Sequence, residues 1–223
     1  MPRKTRAVSG QLDLPDLIQN LCPGSLIAGI DEVGRGALFG PVVAAAVILP
    51  DSAQTTLALA GVTDSKLLSP EQRRSLAAQI RALALDCRIG YASVAEIDRL
   101  NILQASLLAM RRAVLRLQVT PQVCLVDGNQ RIPGLPYSQE TLVKGDQRSL
   151  AIAAASIIAK VWRDDLITRM AVRYPQYHLE SNKGYGTPPH RKAIQEFGVC
   201  RYHRRSFSPC QPATAQLVEG RLF

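Results

Sequence analysis

The chain has 223 residues, 47% of them hydrophobic and only 5% aromatic, enough for one large domain whose core is built mainly from Ala, Val, Ile and Leu. No apolar run reaches the ~18 residues of a membrane span and no signal-peptide pattern opens the chain, so a cytoplasmic protein with no membrane partner is expected. Lys and Arg number 27 against 18 Asp and Glu, and the resulting charge of +9 favours polyanionic partners.

Residues 1–20 open with MPRKTRAVSG, basic and without apolar periodicity, and are expected to form a flexible arm. LIAGID and GPVVAAAVILP predict two strands joined by a glycine-rich turn, with Pro50-Asp51 ending the second. Ser69 as N-cap, Pro70 at the first helical position and Gln72 completing an S-x-x-Q box then open a helix. CRIGYASVA alternates as a strand does. IDRLNILQASLLAMRRAVLRL carries apolar residues at three- and four-residue steps and predicts one amphipathic helix.

PQVCLVDGN predicts a buried strand leading into a turn, and ETLVKGD another short strand. SLAIAAASIIAKVWRDDLITRM is apolar almost all round in its first half, the pattern of a helix buried against a sheet. Past Tyr174-Pro175 the texture changes to Pro, Gly and charge, with one short helix at PPHRKAIQEFG. Between Lys183 and Arg205 six Lys/Arg stand against the single acid Glu196, and the interleaved Tyr185, Tyr202 and Phe207 point to a nucleic-acid contact surface. The element order predicts a mixed-sheet α/β or α+β domain with a small C-terminal helical element.

Four acids are expensive in their apolar context: Asp31 and Glu32 at the end of the first strand, Asp127 at the end of a later one, and Asp164 on the buried helix. Converging carboxylates need a cation, and hard oxygen donors suit Mg²⁺ or Mn²⁺. Each acid has a plainer explanation as well. Asp127 is also a turn residue, and Asp164 also pairs with Lys160 one turn back on a helix. Periodicity barely separates Asp164 from Asp165. Adjacent strand residues point to opposite faces, so Asp31 and Glu32 share a site only if the turn at Gly34 and Gly36 follows at once. The five cysteines contain no CxxC pair and the three histidines lie on no common helical face, so no zinc pattern is present and reduced thiols are expected.

The blocks AGIDEVGRG…GPVVAAAV, TDSKLLSP, LVDGN, KGD…SLAIAAASIIAKVWRD, YPQYHLESNKGYGT and HRRSFSP resemble, in order and across residues 26–209, the motifs of the type 2 ribonucleases H, the ribonuclease HII family. The resemblance implies an α/β ribonuclease H-like mixed sheet flanked by helices. It divides the chain into the arm 1–20, a catalytic core 21–180 and a C-terminal substrate-binding helical extension 181–223. It implies a metal-dependent endonuclease that cuts the RNA strand of RNA–DNA hybrids and incises 5′ to single ribonucleotides in duplex DNA. Asp31, Glu32, Asp127 and Asp164 are then the catalytic metal ligands for Mg²⁺ or Mn²⁺; the motif, not periodicity, selects Asp164.

By the same resemblance Gly34-Arg35-Gly36 reads the ribonucleotide 2′-hydroxyl, Tyr185 senses the junction, and Lys66, Lys183 and Arg204 are phosphate contacts. Asn182 stands where many members have histidine, Trp162 where threonine is common, and ALFGP follows the GRG where proline-leucine is more usual. A monomer is expected. The terminal QLVEGRLF has the wrong spacing for a clamp-binding peptide. The rivals are the sibling type 3 ribonuclease H and a catalytically silent hybrid-binding protein.

Overall fold

A computed structural model describes residues 24–211; the expected arm and the QLVEGRLF tail lie outside the described residues. Five strands form one mixed sheet in the order β3-β2-β1-β4-β5. β1 (Ile27–Val33) and β3 (Asp86–Ala92) each run antiparallel to β2 (Val42–Ile48) between them, while β4 (Val123–Asp127) and β5 (Ser138–Leu142) continue from β1 in parallel. β2 is buried along its whole length, as its unbroken run VVAAAVI requires of a central strand covered on both faces.

The helices are α1 (Asp51–Leu59), α2 (Pro70–Leu83), α3 (Val94–Leu100), α4 (Ile102–Val114), α5 (Leu150–Ala171), α6 (Leu179–Asn182) and α7 (Pro188–Phe197). One sheet face, carrying Ala28, Ile30, Ala44 and Ala46, packs on α4 through Ala105, Ala109 and Ala113. The other, carrying Ala45 and Val47, packs on α5 through Ala154, Ile157 and Ile158. Gly29 lets α5 come this close, for a Cβ there would stand 2.1 Å from the Ala151 carbonyl carbon. A satellite cluster joins Phe39 of the β1–β2 turn to Ile167, Tyr177, Leu179 and Ile194, so the segment after α5 is packed onto that turn.

The mixed sheet flanked by helices is as expected, and α2 has both hydrogen bonds of the Ser69–Gln72 capping box. Three details differ. After Pro50, where the sequence suggested only the end of a strand, the chain forms α1. The single helix expected from Ile97 to Leu117 is two, broken at Asn101, whose φ of 69° and ψ of 166° lie outside helical space and whose side chain caps α4 through the Gln104 N–H. The last strand also ends at Leu142, earlier than ETLVKGD suggested, because Lys144 is left-handed and opens a 3₁₀ turn. Among the described residues no helix is long and apolar enough to cross a membrane, and the four described cysteines are free thiols.

Candidate active site

β1 does not stop at its two acids. It stays paired with β2 through Val33↔Val43, so the pleat is regular across Asp31 and Glu32 and sends them to opposite faces. Asp31 pairs with Ala45 and faces α5; Glu32 pairs with Ala44 and faces away from it. The expected early turn is therefore not what unites them. Pairing of β1 with β4 ends at Ile30↔Val126, which leaves the last three residues of β1 uncovered along that edge. An open strand end can be approached from both faces, and both acids line one cleft of about 520 Å³.

Asp127, the last residue of β4, follows Val126 in that parallel register and so stands beside Asp31 on the α5 face. Its carboxylate accepts the Gly145 N–H at 2.7 Å. Asp31 accepts its neighbour's N–H at 2.6 Å and a hydrogen bond from Ser156 of α5, whose hydroxyl is 2.8 Å from that of Ser65. Burial, then the Glu32 and Asp127 charges, hold the Asp31 carboxyl well above its ordinary range. Burial also raises Glu32, against the Arg35 guanidinium that pairs with it at 3.2 Å. Like charges at this density repel, and among the described residues no three His, Cys, Asp or Glu side chains stand close enough together to hold a metal ion.

Asp164 takes its plainer partner: Lys160 donates to it at 2.9 Å. Lys160 lines the cleft, so Asp164 borders it through that ammonium. Asp165 turns to Arg74 instead, 3.7 Å away. Gly34, Arg35, Lys66 and Tyr185 all line the cleft. The Tyr185 ring centre lies 5.5 Å from the Lys160 ammonium and 5.3 Å from the Arg163 guanidinium. Gly34 has a φ of 90°, and a Cβ there would lie 2.2 Å from Arg163 Nε, so two independent constraints demand glycine.

Two expected phosphate contacts are placed elsewhere. The Lys183 ammonium donates to Thr168 of α5 at 2.7 Å and is not part of the cleft wall. Arg204 has no exposed surface at all, and burial followed by the nearby Arg163 charge lowers its pKa to about 9. Its Nε and Nη1 donate to the carbonyls of Gly40 and Arg35, so it braces the turn from inside and cannot meet a phosphate. The expected aromatic interleaving of a basic surface is also corrected: Tyr202 and Phe207 pack on the satellite cluster around Phe39.

Asn182 is buried and brackets the KGYG turn, donating to the Tyr177 carbonyl at 2.7 Å and accepting the Gly184 N–H at 2.8 Å. Trp162 stacks on Tyr91 at 6.2 Å on the β3 edge. Sequence reasoning passed over Ser65, Ser156 and Lys160 as cleft residues; Ser156, a lone hydroxyl inside AAASIIA, was the available signal.

The Ribonuclease HII family model matches residues 28–210. Ribonuclease HII of Acaryochloris marina is 68% identical over 185 residues, which is 83% of this chain and 93% of that protein. The Trichodesmium erythraeum ribonuclease HII is 63% identical over 198 residues, 89% and 94% of the two chains. Among solved structures, ribonuclease H2 from Pyrococcus horikoshii superposes with a TM-score of 0.70 at 26% identity over 83% of this chain and 95% of its own. The ribonuclease HII of a PCNA complex from Archaeoglobus fulgidus gives 0.71 at 28% over 85% and 98%. Bst-RNase HIII in complex with Mn²⁺, at 21% identity and a TM-score of 0.69 over 84% and 68%, shares the fold. With its four acids and glycine-arginine-glycine turn inside the matched span, the chain belongs to the ribonuclease HII family of metal-dependent endoribonucleases.

Proposed function

We propose that this ribonuclease H, which acts on RNA–DNA hybrids, also incises duplex DNA on the 5′ side of a single embedded ribonucleotide, in the cleft at the end of β1. One observation carries the reading: Asp31, Glu32 and Asp127 share that cleft with Gly34, Arg35 and Tyr185. A group that cuts and a group that reads sugar identity are thereby fixed to the same strand end.

Asp31, Glu32, Asp127 and Asp164 would hold Mg²⁺ or Mn²⁺. The donor chemistry fits, being entirely carboxylate oxygen, and a hard dication would offset the repulsion among Asp31, Glu32 and Asp127 and draw together acids that stand apart in this structure. Held there, such ions would supply an activated water and stabilisation of the leaving oxygen, the chemistry that leaves 5′-phosphate and 3′-hydroxyl ends. The chain's own groups do the rest. Ser156 and the Gly145 N–H orient Asp31 and Asp127, while Arg35 and Lys160 balance Glu32 and Asp164.

Main-chain groups of Gly34-Arg35-Gly36 approach the 2′-hydroxyl, the feature that separates RNA from DNA. The Tyr185 ring stacks on the neighbouring deoxyribose. Lys66 in the cleft, with no carboxylate paired to it among the described residues, contacts a phosphate. One chain supplies every group, so the working unit is a monomer.

The discriminating experiment offers the enzyme a long hybrid and a duplex with one ribonucleotide. Efficient cutting of both supports the proposal. A long hybrid cut beside an untouched single-ribonucleotide duplex would assign type 3 behaviour instead, and binding without cleavage in Mg²⁺ or Mn²⁺ would leave a silent binder.

A further inference from the structure

Arg163 and Arg204 lie fully buried beneath the turn between β1 and β2, and among the described residues no carboxylate pairs with either. A guanidinium in such a place is costly unless acceptors satisfy its donors. Here the acceptors are all main-chain carbonyls. Arg163 donates to Pro41 at 3.2 Å, Lys183 at 2.9 Å and Phe39 at 3.0 Å. Arg204 donates to Gly40 at 3.0 Å and to Arg35 at 2.7 Å, leaving its Nη2 without an acceptor.

The bond to Arg35 bears on the peptide that follows. A trans peptide is planar, with C=O and N–H pointing in opposite directions. Arg204 draws the Arg35 carbonyl inward, so the Gly36 N–H points out. The next N–H groups are all used within the protein: Ala37 on Gly34, Leu38 and Phe39 on Gly184, Gly40 on Tyr202. Gly36 is exposed, no acceptor among the described residues takes its N–H, and a Cβ built there meets nothing within 4 Å. A donor aimed at open space beside a carboxylate cleft is placed to meet substrate.

We propose that Arg204 is a positioning residue for ribonucleotide recognition: by fixing the Arg35–Gly36 peptide it presents the Gly36 N–H to the 2′-hydroxyl oxygen. The proposal rests on the assignment of the Gly34-Arg35-Gly36 turn to sugar reading. A lysine could not replace Arg204, because a single ammonium lacks the fork that spans two carbonyls.

The test measures binding in chelator, independent of cleavage, of two duplexes that differ by one 2′-hydroxyl. Wild type should prefer the ribonucleotide duplex by about tenfold, the worth of one well-placed hydrogen bond, and Arg204→Met should lose that preference while holding the all-DNA duplex within about twofold of wild type. Arg204→Lys should lose it too. A folded Arg204→Met that keeps the wild-type preference, or that weakens on both duplexes equally, overturns the proposal. No preference in wild type overturns the ribonucleotide reading and this proposal with it. Should the variants fail to fold, NMR of wild type decides: the Gly36 amide proton should move downfield only with the ribonucleotide duplex, and an equal shift with both contradicts the proposal.

Discussion

Asp31 and Glu32 show how a costly residue marks function. Two carboxylates near the end of an apolar strand are raised, both chiefly by burial, Asp31 also by the Glu32 and Asp127 charges and Glu32 by that of Asp127, a cost the fold alone does not explain. Asp31→Asn keeps the shape and removes the charge. It should cut cleavage by at least about 10³ while raising Tm by about 2–4 °C, the effect of ~1 kcal/mol on a chain of this size; nicking assays and thermal melts check both. Tyr185→Ala should lower single-ribonucleotide incision by about tenfold or more, as loss of a stacked ring does, with metal dependence intact. An unaltered rate would remove that ring's role. The acids were legible because apolar context makes a carboxylate conspicuous. Arg204 was not, since a run of basic residues reads as surface and nothing local marks the one that goes inside.

The break between α3 and α4 shows where periodicity misleads. The apolar steps continue through Asn101, so one helix was expected, yet the N–H of Gln104 is capped there and a new helix begins. The backbone at Asn101 occupies a region that only glycine enters freely. Asn101→Ala should therefore destabilise by about 1–3 kcal/mol, adding strain to a lost cap, and Asn101→Gly should cost less; urea unfolding separates them. The Ser93–Glu96 box and the Ser69–Gln72 box mark the starts of α3 and α2, and the second was visible in the sequence.

Glu96 also receives the Arg112 guanidinium of α4 at 2.7 Å, tying the two helices together. Its carboxyl is lowered from 4.5 to about 2, chiefly by Arg112. A depressed carboxylate stabilises fully above its ordinary pKa and loses that contribution as pH falls through the folded value. Glu96→Gln should thus melt lower than wild type near neutrality, and the gap should close between pH 4.5 and about 2; convergence absent from melts across that window would deny the pair its role.

Across the molecule, the strands and most of the helices followed from alternation and apolar runs, while the order of strands in the sheet did not. Nor did the joining of distant segments. Phe39 and Gly40 pair with residues near Gly184 and Tyr202, and Arg163 reaches Phe39, Pro41 and Lys183, so the β1–β2 turn and the residues after α6 are one packed body. No local pattern announces contacts spanning more than a hundred residues. The net charge of +9 acts at this level as well. Hybrid affinity should fall at least about tenfold between roughly 50 and 200 mM salt as counterions return to the phosphates, and a flat response would count against the basic surface as the docking face. The most direct test of the shared cutting and reading cleft is to map the nick in a duplex carrying one ribonucleotide, with Mg²⁺ or Mn²⁺ and again in chelator. A single incision on the 5′ side of the ribonucleotide, leaving a 3′-hydroxyl and abolished by chelator, is the expected result; cleavage elsewhere, or cleavage that survives chelation, would contradict it.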